Sequence, residues 1–547
     1  MNKFSKPPGR VRHILINLLI TLVFGLVYFY IELPALNLKN PGVYVFVFLL
    51  SAVYCGLSII SLGLHKLESG REFWNSLKKN CAAPVIICAA LVVLFIVGSF
   101  ISSPILRARA YSNLLQITPG DFAEEIDEIT YSQIPMLDKD SAEKLGDRKM
   151  GELSDMVSQF EVSDNYTQIN YKGRPVRVSP LEYSDLIKWF NNRSRGLPAY
   201  IVIDMVTQKV DVVRLEEGMK YSTSEHFGRN LYRHLRFSYP TFMFEEPTFE
   251  IDEDGVPYWV CPRLVKRIGL FGGSDIQGAV LVNAITGECT YYDSDEVPSW
   301  VDRVYRAELI IEQYDYYGLY KNGWLNSMFG QKDVTVTTDG YNYLALGDDV
   351  YMYTGVTSVV SDESNVGFIL TNQRTKETKF YAIAGAEEYS AMDSAQGVVQ
   401  HLNYRATFPL LLNISSQPTY FMALKDSADL VKMYAMVNVQ QYQIVSTGTT
   451  VAECEANYRE LLARNNLVSQ EDTASDKVTG IISDIRSAVL EGNTHYYIRL
   501  EGDNFYYVIS LADSELAAVL NVGDRVEISS SAQEGELRRA FSIERAS

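Results

Sequence analysis

Apolar and polar positions divide the chain into two regimes. In the first hundred residues the apolar ones run together: Ile14–Ile31, Val43–Leu64 and Ala82–Ile101 contain no Asp, Glu, Lys or Arg. Each run approaches the ~20 residues a helix needs to cross a bilayer core of ~30 Å, so the pattern predicts three membrane-spanning helices. Pro84 falls near the start of the third run, where a helix tolerates it. No small-residue cleavage site follows the first run, so it reads as a span and not as a signal peptide. With no Asp, Glu, Lys or Arg inside the spans, a proton relay or ion pathway is not expected, and an anchor is.

Beyond Ile101 the pattern changes to short alternating runs separated by turn residues, as in half-buried strands. Three stretches share one form: "YIVIDMVTQKVDVV" from Tyr200, "AVLVNAITGECTYY" from Ala279 and "FILTNQRTKETKFY" from Phe368. Asp204, Asn283 and Asn372 align, as do Thr207, Thr286 and Thr375. Asx at a turn start bonds its own backbone two residues on, so D/N-x-x-T is explained as turn chemistry without a ligand. Helical patterns accompany the hairpins at Ser179–Asn192, Ser222–Phe237, Val297–Tyr314, Gly385–Leu402 and Thr450–Asn466. Ser179 is the candidate cap of the first, with Pro180 in its first turn. A fourth hairpin, Thr419–Val439, keeps the rhythm without the turn motif. One helix on a small sheet buries too little apolar area alone, so such units stack.

The residues "PYWVCPRL…GAVLVNAITGECTYYD" resemble the PepSY family of extracytoplasmic modules, whose hairpin typically reads Y-x-V … V-x-V-D-x-x-T-G-E-V. The likeness is best over Ser222–Asp293 and departs from the family at Asn283, where Asp is usual, and at Cys289, where an aliphatic is usual. The resemblance implies an interaction module, of a kind associated with restraining proteases and with envelope regulation, and it brings no catalytic residues. After a polar linker, Leu467–Lys477, five short strands with a helical turn before "VGDRVEI" (Val522–Ile528) resemble a small OB-like β-barrel. The expected fold is therefore α+β: a three-span anchor at 1–105, a membrane-proximal connecting region at 106–178, tandem PepSY-like units at 179–466, a linker at 467–477 and an OB-like barrel at 478–547.

Charge sets the expected orientation. Lys3, Lys6, Arg10, Arg12, Lys66, Arg71, Lys78 and Lys79 flank one side of the spans, against Lys39, Arg107 and Arg109 on the other. The positive-inside rule then puts the N-terminus in the cytoplasm and the large C-terminal region outside it. The net charge of -18 disfavours nucleic acid as a partner. Tyr496, Tyr497, Phe505, Tyr506 and Tyr507 on the barrel strands read first as packing or protein contact, and second as a platform for a glycan or wall polymer.

Chemistry is sparse. No CxxC pair, HExxH, GxSxG or P-loop occurs, and "GLFGGSDIQG" (Gly269–Gly278) joins two strands with no helix behind it, so it reads as a flexible hairpin loop. His226 and His234 read as surface or packing residues. The acidic groups Asp252–Asp254, Asp293–Glu296 and Asp348–Asp349 lack calcium-loop spacing and read as solvated turns. Cys261 and Cys289 lie on two candidate strands of one unit, where a disulfide and two free thiols are both open. No catalytic, metal or cofactor residue is assigned, and no cofactor is expected. The dense tyrosine run from Tyr305 to Tyr353 is the one suggestive surface, and Tyr316, Tyr317, Tyr320 and Trp324 are the candidate partner-binding residues. The expectation is a non-catalytic, membrane-anchored binding or regulatory protein of the cell envelope that docks a protein partner outside the membrane. The alternatives are an envelope hydrolase with a site of scattered carboxylates and an accessory subunit of a membrane complex.

Overall fold

The computed structural model describes residues 8–63, 70–128, 134–359, 361–467, 476–490, 493–511, 514–530 and 537–546. Three helices, α1 (Pro8–Glu32), α2 (Pro41–Gly63) and α3 (Gly70–Ser102), are long and apolar enough to cross a membrane. Their side chains are mostly outward-facing, as expected of helices solvated by lipid. The basic stretch Arg71–Lys79 is helical and continuous with the third apolar run, so Pro84 is interior to α3 and not in its first turn. Of the cations used to orient the spans, Lys3, Lys6 and Lys66 lie outside the described residues, as does most of the predicted linker Leu467–Lys477.

The remaining chain forms two compact units, residues 1–120 with 133–383, and residues 121–132 with 384–547. Helix α4 (Pro104–Ser112) follows α3 in the first unit, and the short α5 (Phe122–Glu125) belongs to the second. The unit that recurs is a helix, two short strands, a long strand pairing with both, and a hairpin closed by an Asx turn. The first copy has α6 (Lys139–Gly151) and a sheet built on Arg174–Tyr183, which is followed by α7 (Leu186–Asn192), Leu197–Asp204 and Val210–Met219. The second has α8 (Leu231–Ser238) and strands Pro257–Ile268, Gly272–Asn283 and Cys289–Asp293. The third has α9 (Ala307–Tyr320) and strands Asp349–Ser358, Ser361–Asn372 and Thr378–Tyr381, with Ile117–Gly120 added in parallel at its edge. The fourth, in the second unit, has α10 (Glu388–Val398) and strands Gln417–Lys425, Val431–Asn438 and Val445–Gly448, followed by α11 (Val451–Arg464).

Several boundaries differ from the sequence reading. The helices expected over Ser222–Phe237 and Val297–Tyr314 are α-helical at Leu231–Ser238 and Ala307–Tyr320. Residues 106–178 are not a connecting region, because α6 and the strands Phe160–Val162 and Thr167–Tyr171 belong to the first copy. The helix expected over Ser179–Asn192 is helical only from Leu186. Ser179 is a buried strand residue whose hydroxyl donates to the Ser163 carbonyl at 2.7 Å, and Asp185 is the cap, accepting from the Ile187 and Lys188 amides at 2.8 Å. Arg174–Tyr183 is buried on both faces, so it lacks the alternation that marks a half-exposed strand.

The first and second sheets share one core, with Trp189, Tyr200, Phe249, Trp259 and Val280 inside it. The second and third share another, including Val260, Leu281, Val301, Tyr314 and Met352. In the second unit the last five strands pair in a circuit, Asp476–Leu490, Asn493–Leu500, Tyr506–Ser510, Leu537–Arg545 and Arg525–Ser530, with the last returning to the first. Only the pair Tyr506–Ser510 with Leu537–Arg545 is parallel.

The second copy is seated directly on the span ends. Arg233 Nε donates to the Tyr30 carbonyl at 3.1 Å, Arg236 Nε to that of Leu33 at 2.8 Å, and the Leu36 amide to that of Pro240 at 2.8 Å. The tip Gly269–Gly273 is no free loop. Ser102 Oγ accepts from the Leu270 and Phe271 amides at 2.9 and 3.1 Å, and Phe271 packs against Tyr44 and Phe95. Gly98 makes this approach possible: a Cβ there would lie 2.9 Å from the Phe271 ring. Gly269 and Gly273, at φ of 59° and 62°, supply the left-handed turns of the tip.

Candidate functional site

The hairpin turns resolve as turn chemistry. Asp204 Oδ1 accepts from the amides two and three residues on at 2.9 and 2.8 Å, Asn283 Oδ1 at 3.0 and 2.9 Å, and Asn372 Oδ1 at 2.8 and 3.0 Å. Asn438 does the same at 3.1 and 2.8 Å, which makes Val431–Gly448 the fourth hairpin of the series. In each the Oδ1 is taken up by the turn's own backbone amides.

A cleft of about 640 Å³ in the first unit gathers polar side chains from the first three copies, among them Tyr166, Arg177, Tyr232, Arg303, Tyr341 and Tyr343. Arg177 projects from the long strand of the first sheet, is 8% exposed, and donates through Nε to the Leu137 carbonyl at 3.4 Å. Burial, and then repulsion from Arg303, lower its guanidinium to about 10, so it is cationic at neutral pH. Arg303 donates through Nη2 to Tyr343 Oη at 2.6 Å and lies over that ring at 4.3 Å. Arg306 pairs with Glu246 at 3.0 Å and Glu308 at 3.4 Å, and Tyr341 donates to Glu308 at 2.7 Å. Two wall residues keep buried polar atoms with no protein partner, Tyr166 Oη and Arg303 Nε. A buried orphan of this kind costs about 1–3 kcal/mol.

Under the cleft a second motif was invisible in the sequence. Glu250 is fully buried and accepts from the Asp302 and Arg303 amides at 2.8 and 3.1 Å, while Asp302 accepts from the Asn170 amide at 2.6 Å. Burial pushes Glu250 up to about 7 and Asp302 well above the carboxylate range, each raised further by desolvation than its amide donors lower it. The two carboxyls tie the loop that carries Arg303 to the first and second sheets. Their signal was spread over residues 170, 250 and 302, which no local spacing connects.

The candidate aromatic residues lie together but are not freely displayed. Tyr316 donates to Glu312 at 2.8 Å, stacks on Tyr320, and meets the edge of Tyr111; Tyr317 packs against the shared core of the second and third sheets. Tyr316, Tyr317, Tyr320 and Trp324 are all half-buried. The exposed apolar residues are their neighbours Leu325, Met328 and Phe329, the last 81% exposed. A second apolar patch, Leu186, Ile187, Phe190 and Phe227, is linked to the end of α1 through Arg233, which donates to the Phe227 carbonyl at 2.8 Å and covers the Tyr30 ring at 4.3 Å.

The other candidates are structural. His226 packs on Trp189, and His234 Nε2 donates to the Gly287 carbonyl at 2.8 Å. Cys261 and Cys289 are free thiols, both raised by burial. Asp252 closes its own turn and Asp349 forms a bidentate pair with Arg374 at 2.7 and 2.8 Å. No cluster with metal-ligand composition occurs among the described residues. On the barrel strands Tyr507 is buried, Phe505 packs on it, and Tyr506 donates to Asp484 at 2.6 Å. No protein-family model matches the chain, and no curated protein matches it.

Proposed function

We propose that this is a non-catalytic, membrane-anchored binding or regulatory protein of the cell envelope, whose helix-and-hairpin units are PepSY-like and face the extracytoplasmic side. Its partner is a protein, one segment of which enters the cleft of the first unit. The observation that carries this reading is one open cleft whose walls gather Tyr166, Tyr232, Tyr341 and Tyr343 with Arg177, Arg303 and Arg306. Tyrosine and arginine dominate the energetics of protein contacts, and their O–H and N–H groups donate to the carbonyl or carboxylate oxygens that a peptide supplies. The half-buried cluster Tyr316, Tyr317, Tyr320 and Trp324 is a second contact in the same proposal. The terminal strands are OB-like in this reading, which their circuit with a single parallel pair supports; a wall polymer is the second ligand class for them.

A photo-crosslinking residue at Tyr341 in the full-length protein in cells tests the assignment. One protein adduct is expected, lost when Arg303→Ala is added while the melting temperature is kept. No adduct at Tyr341, or one indifferent to Arg303, overturns it. The hydrolase reading draws on Glu250 and Asp302, a desolvated carboxylate pair, but a catalytic carboxyl must touch substrate. Both are 0–1% exposed and already accept backbone amides.

A further inference from the structure

A second chamber, of about 780 Å³, opens where the body meets the spans. Its walls are the last turn of α1 (Ile31, Glu32, Leu33), the residues that open α2 (Asn40, Pro41), and the body from Asn230 to Lys266. That places it at the level where the apolar helices end, which in a bilayer is the headgroup zone. Four cations line it: Lys39, Arg233, Arg236 and Lys266. Among the described residues none has a carboxylate within 4 Å, although Glu32, Glu245 and Glu246 share the wall and Glu246 is held by Arg306.

The cations are fixed by neutral acceptors instead. Lys39 Nζ donates to the Lys266 carbonyl at 2.7 Å and Lys266 Nζ to Ser274 Oγ at 2.7 Å. Arg233 is held by the Tyr30 and Phe227 carbonyls, and Arg236 by those of Leu33, Tyr239, Pro240 and Phe242. Carbonyl bonds orient a charge without cancelling it, and each ammonium has three donors. Apolar side chains share the lining, among them Ile31, Leu33, Leu235, Met243, Phe244 and Leu264. Fixed cations without a direct carboxylate partner, beside apolar side chains at a membrane surface, match one chemical class, a phosphodiester attached to acyl chains.

We infer that this chamber binds the phosphodiester headgroup of a membrane glycerophospholipid, with Lys39, Arg233 and Lys266 as its contacts and Arg236 as the buried charge behind them. Each such cation contributes about 1 kcal/mol near an anionic surface, roughly fivefold in affinity.

The test uses the full-length protein in a maltoside detergent, supplied in separate arms with phosphatidylglycerol, with phosphatidylethanolamine or with inorganic phosphate, and read by native mass spectrometry. The expected result is one phospholipid retained per chain, with Lys39→Gln/Lys266→Gln weakening retention about 25-fold at an unchanged melting temperature. Inorganic phosphate at millimolar concentration does not displace the lipid. Equal retention by the double variant overturns the site. Displacement of the lipid by inorganic phosphate, or adducts of phosphate without lipid, overturns the lipid assignment in favour of a free-anion site. Should the double variant unfold, Arg233→Lys, which keeps the charge and loses the two-carbonyl fork, gives the same reading through an intermediate loss.

Discussion

Glu250 is a fully buried acid whose chemistry is displaced from its ordinary state. Its carboxyl is raised from 4.5 to about 7, chiefly by burial. A raised acid holds its proton in the folded state and releases it on unfolding, so its stabilising share is complete below pH 4.5 and is lost as pH rises through about 7. Asp302 moves in the same direction. Stability of the first unit should therefore fall between pH 5 and 8, and Glu250→Gln should flatten that fall, since the amide cannot ionise. All five tryptophans, Trp74, Trp189, Trp259, Trp300 and Trp324, lie in that unit, so thermal melting followed by tryptophan fluorescence reads it selectively. A slope unchanged in the variant would show that other groups set it. At this scale the sequence was legible where bonds are local. The Asx turns at Asp204, Asn283 and Asn372 were readable because donor and acceptor are two or three residues apart. The links from Glu250 to Asp302 and from Asp302 to Asn170 were not, because only the folded sheets bring them together.

Among the elements, the hairpin tip Gly269–Gly273 joins anchor to body. Its glycines announced a bend, but not that the bend rests on α3, since neither Ser102 nor Gly98 carries a mark of that contact in the sequence. Replacing Gly98 by Val puts a side chain where Leu270 and Phe271 already lie within 3.0 Å. Overpacking of this sort costs about 1–3 kcal/mol. The expected outcome is a lower melting temperature with new protease cleavage near Phe271, whereas Gly56→Val, which meets nothing within 4 Å, should leave both unchanged. The repeat was partly legible for a similar reason. Three hairpins share the spacing from Asx to the returning strand, Asn283 to Glu288 for example, while the fourth runs from Asn438 to Ile444, one residue longer, which hides it from alignment. The first copy was lost at its start because its long strand, Arg174–Tyr183, is buried on both faces and carries no alternation.

For the whole molecule, the three apolar helices were legible from length and absence of charge, except that the third begins at Gly70, ahead of its apolar run. Their ends near Leu33, Lys39 and Ser102 all meet the second copy of the repeat, so that copy lies at the end of the bundle opposite the start of α1. The distribution of basic residues makes that end extracytoplasmic in the proposed function. Alkaline phosphatase fused after Ser547 should then be active, and a fluorescent protein that matures only in the cytoplasm should stay dark; the reverse pair would place the body, and its cleft, inside the cell.

Tyr232 and Glu246 line the peptide-sized cleft on one side and the headgroup-level chamber on the other. A side chain that lines both spaces cannot shift for one occupant without altering the space left to the other. Affinity for a soluble partner would then depend on which lipids surround the anchor, and by thermodynamic reciprocity a captured partner would change lipid preference by the same factor. The composition of the bilayer would in that way act as an effector of an event taking place in water.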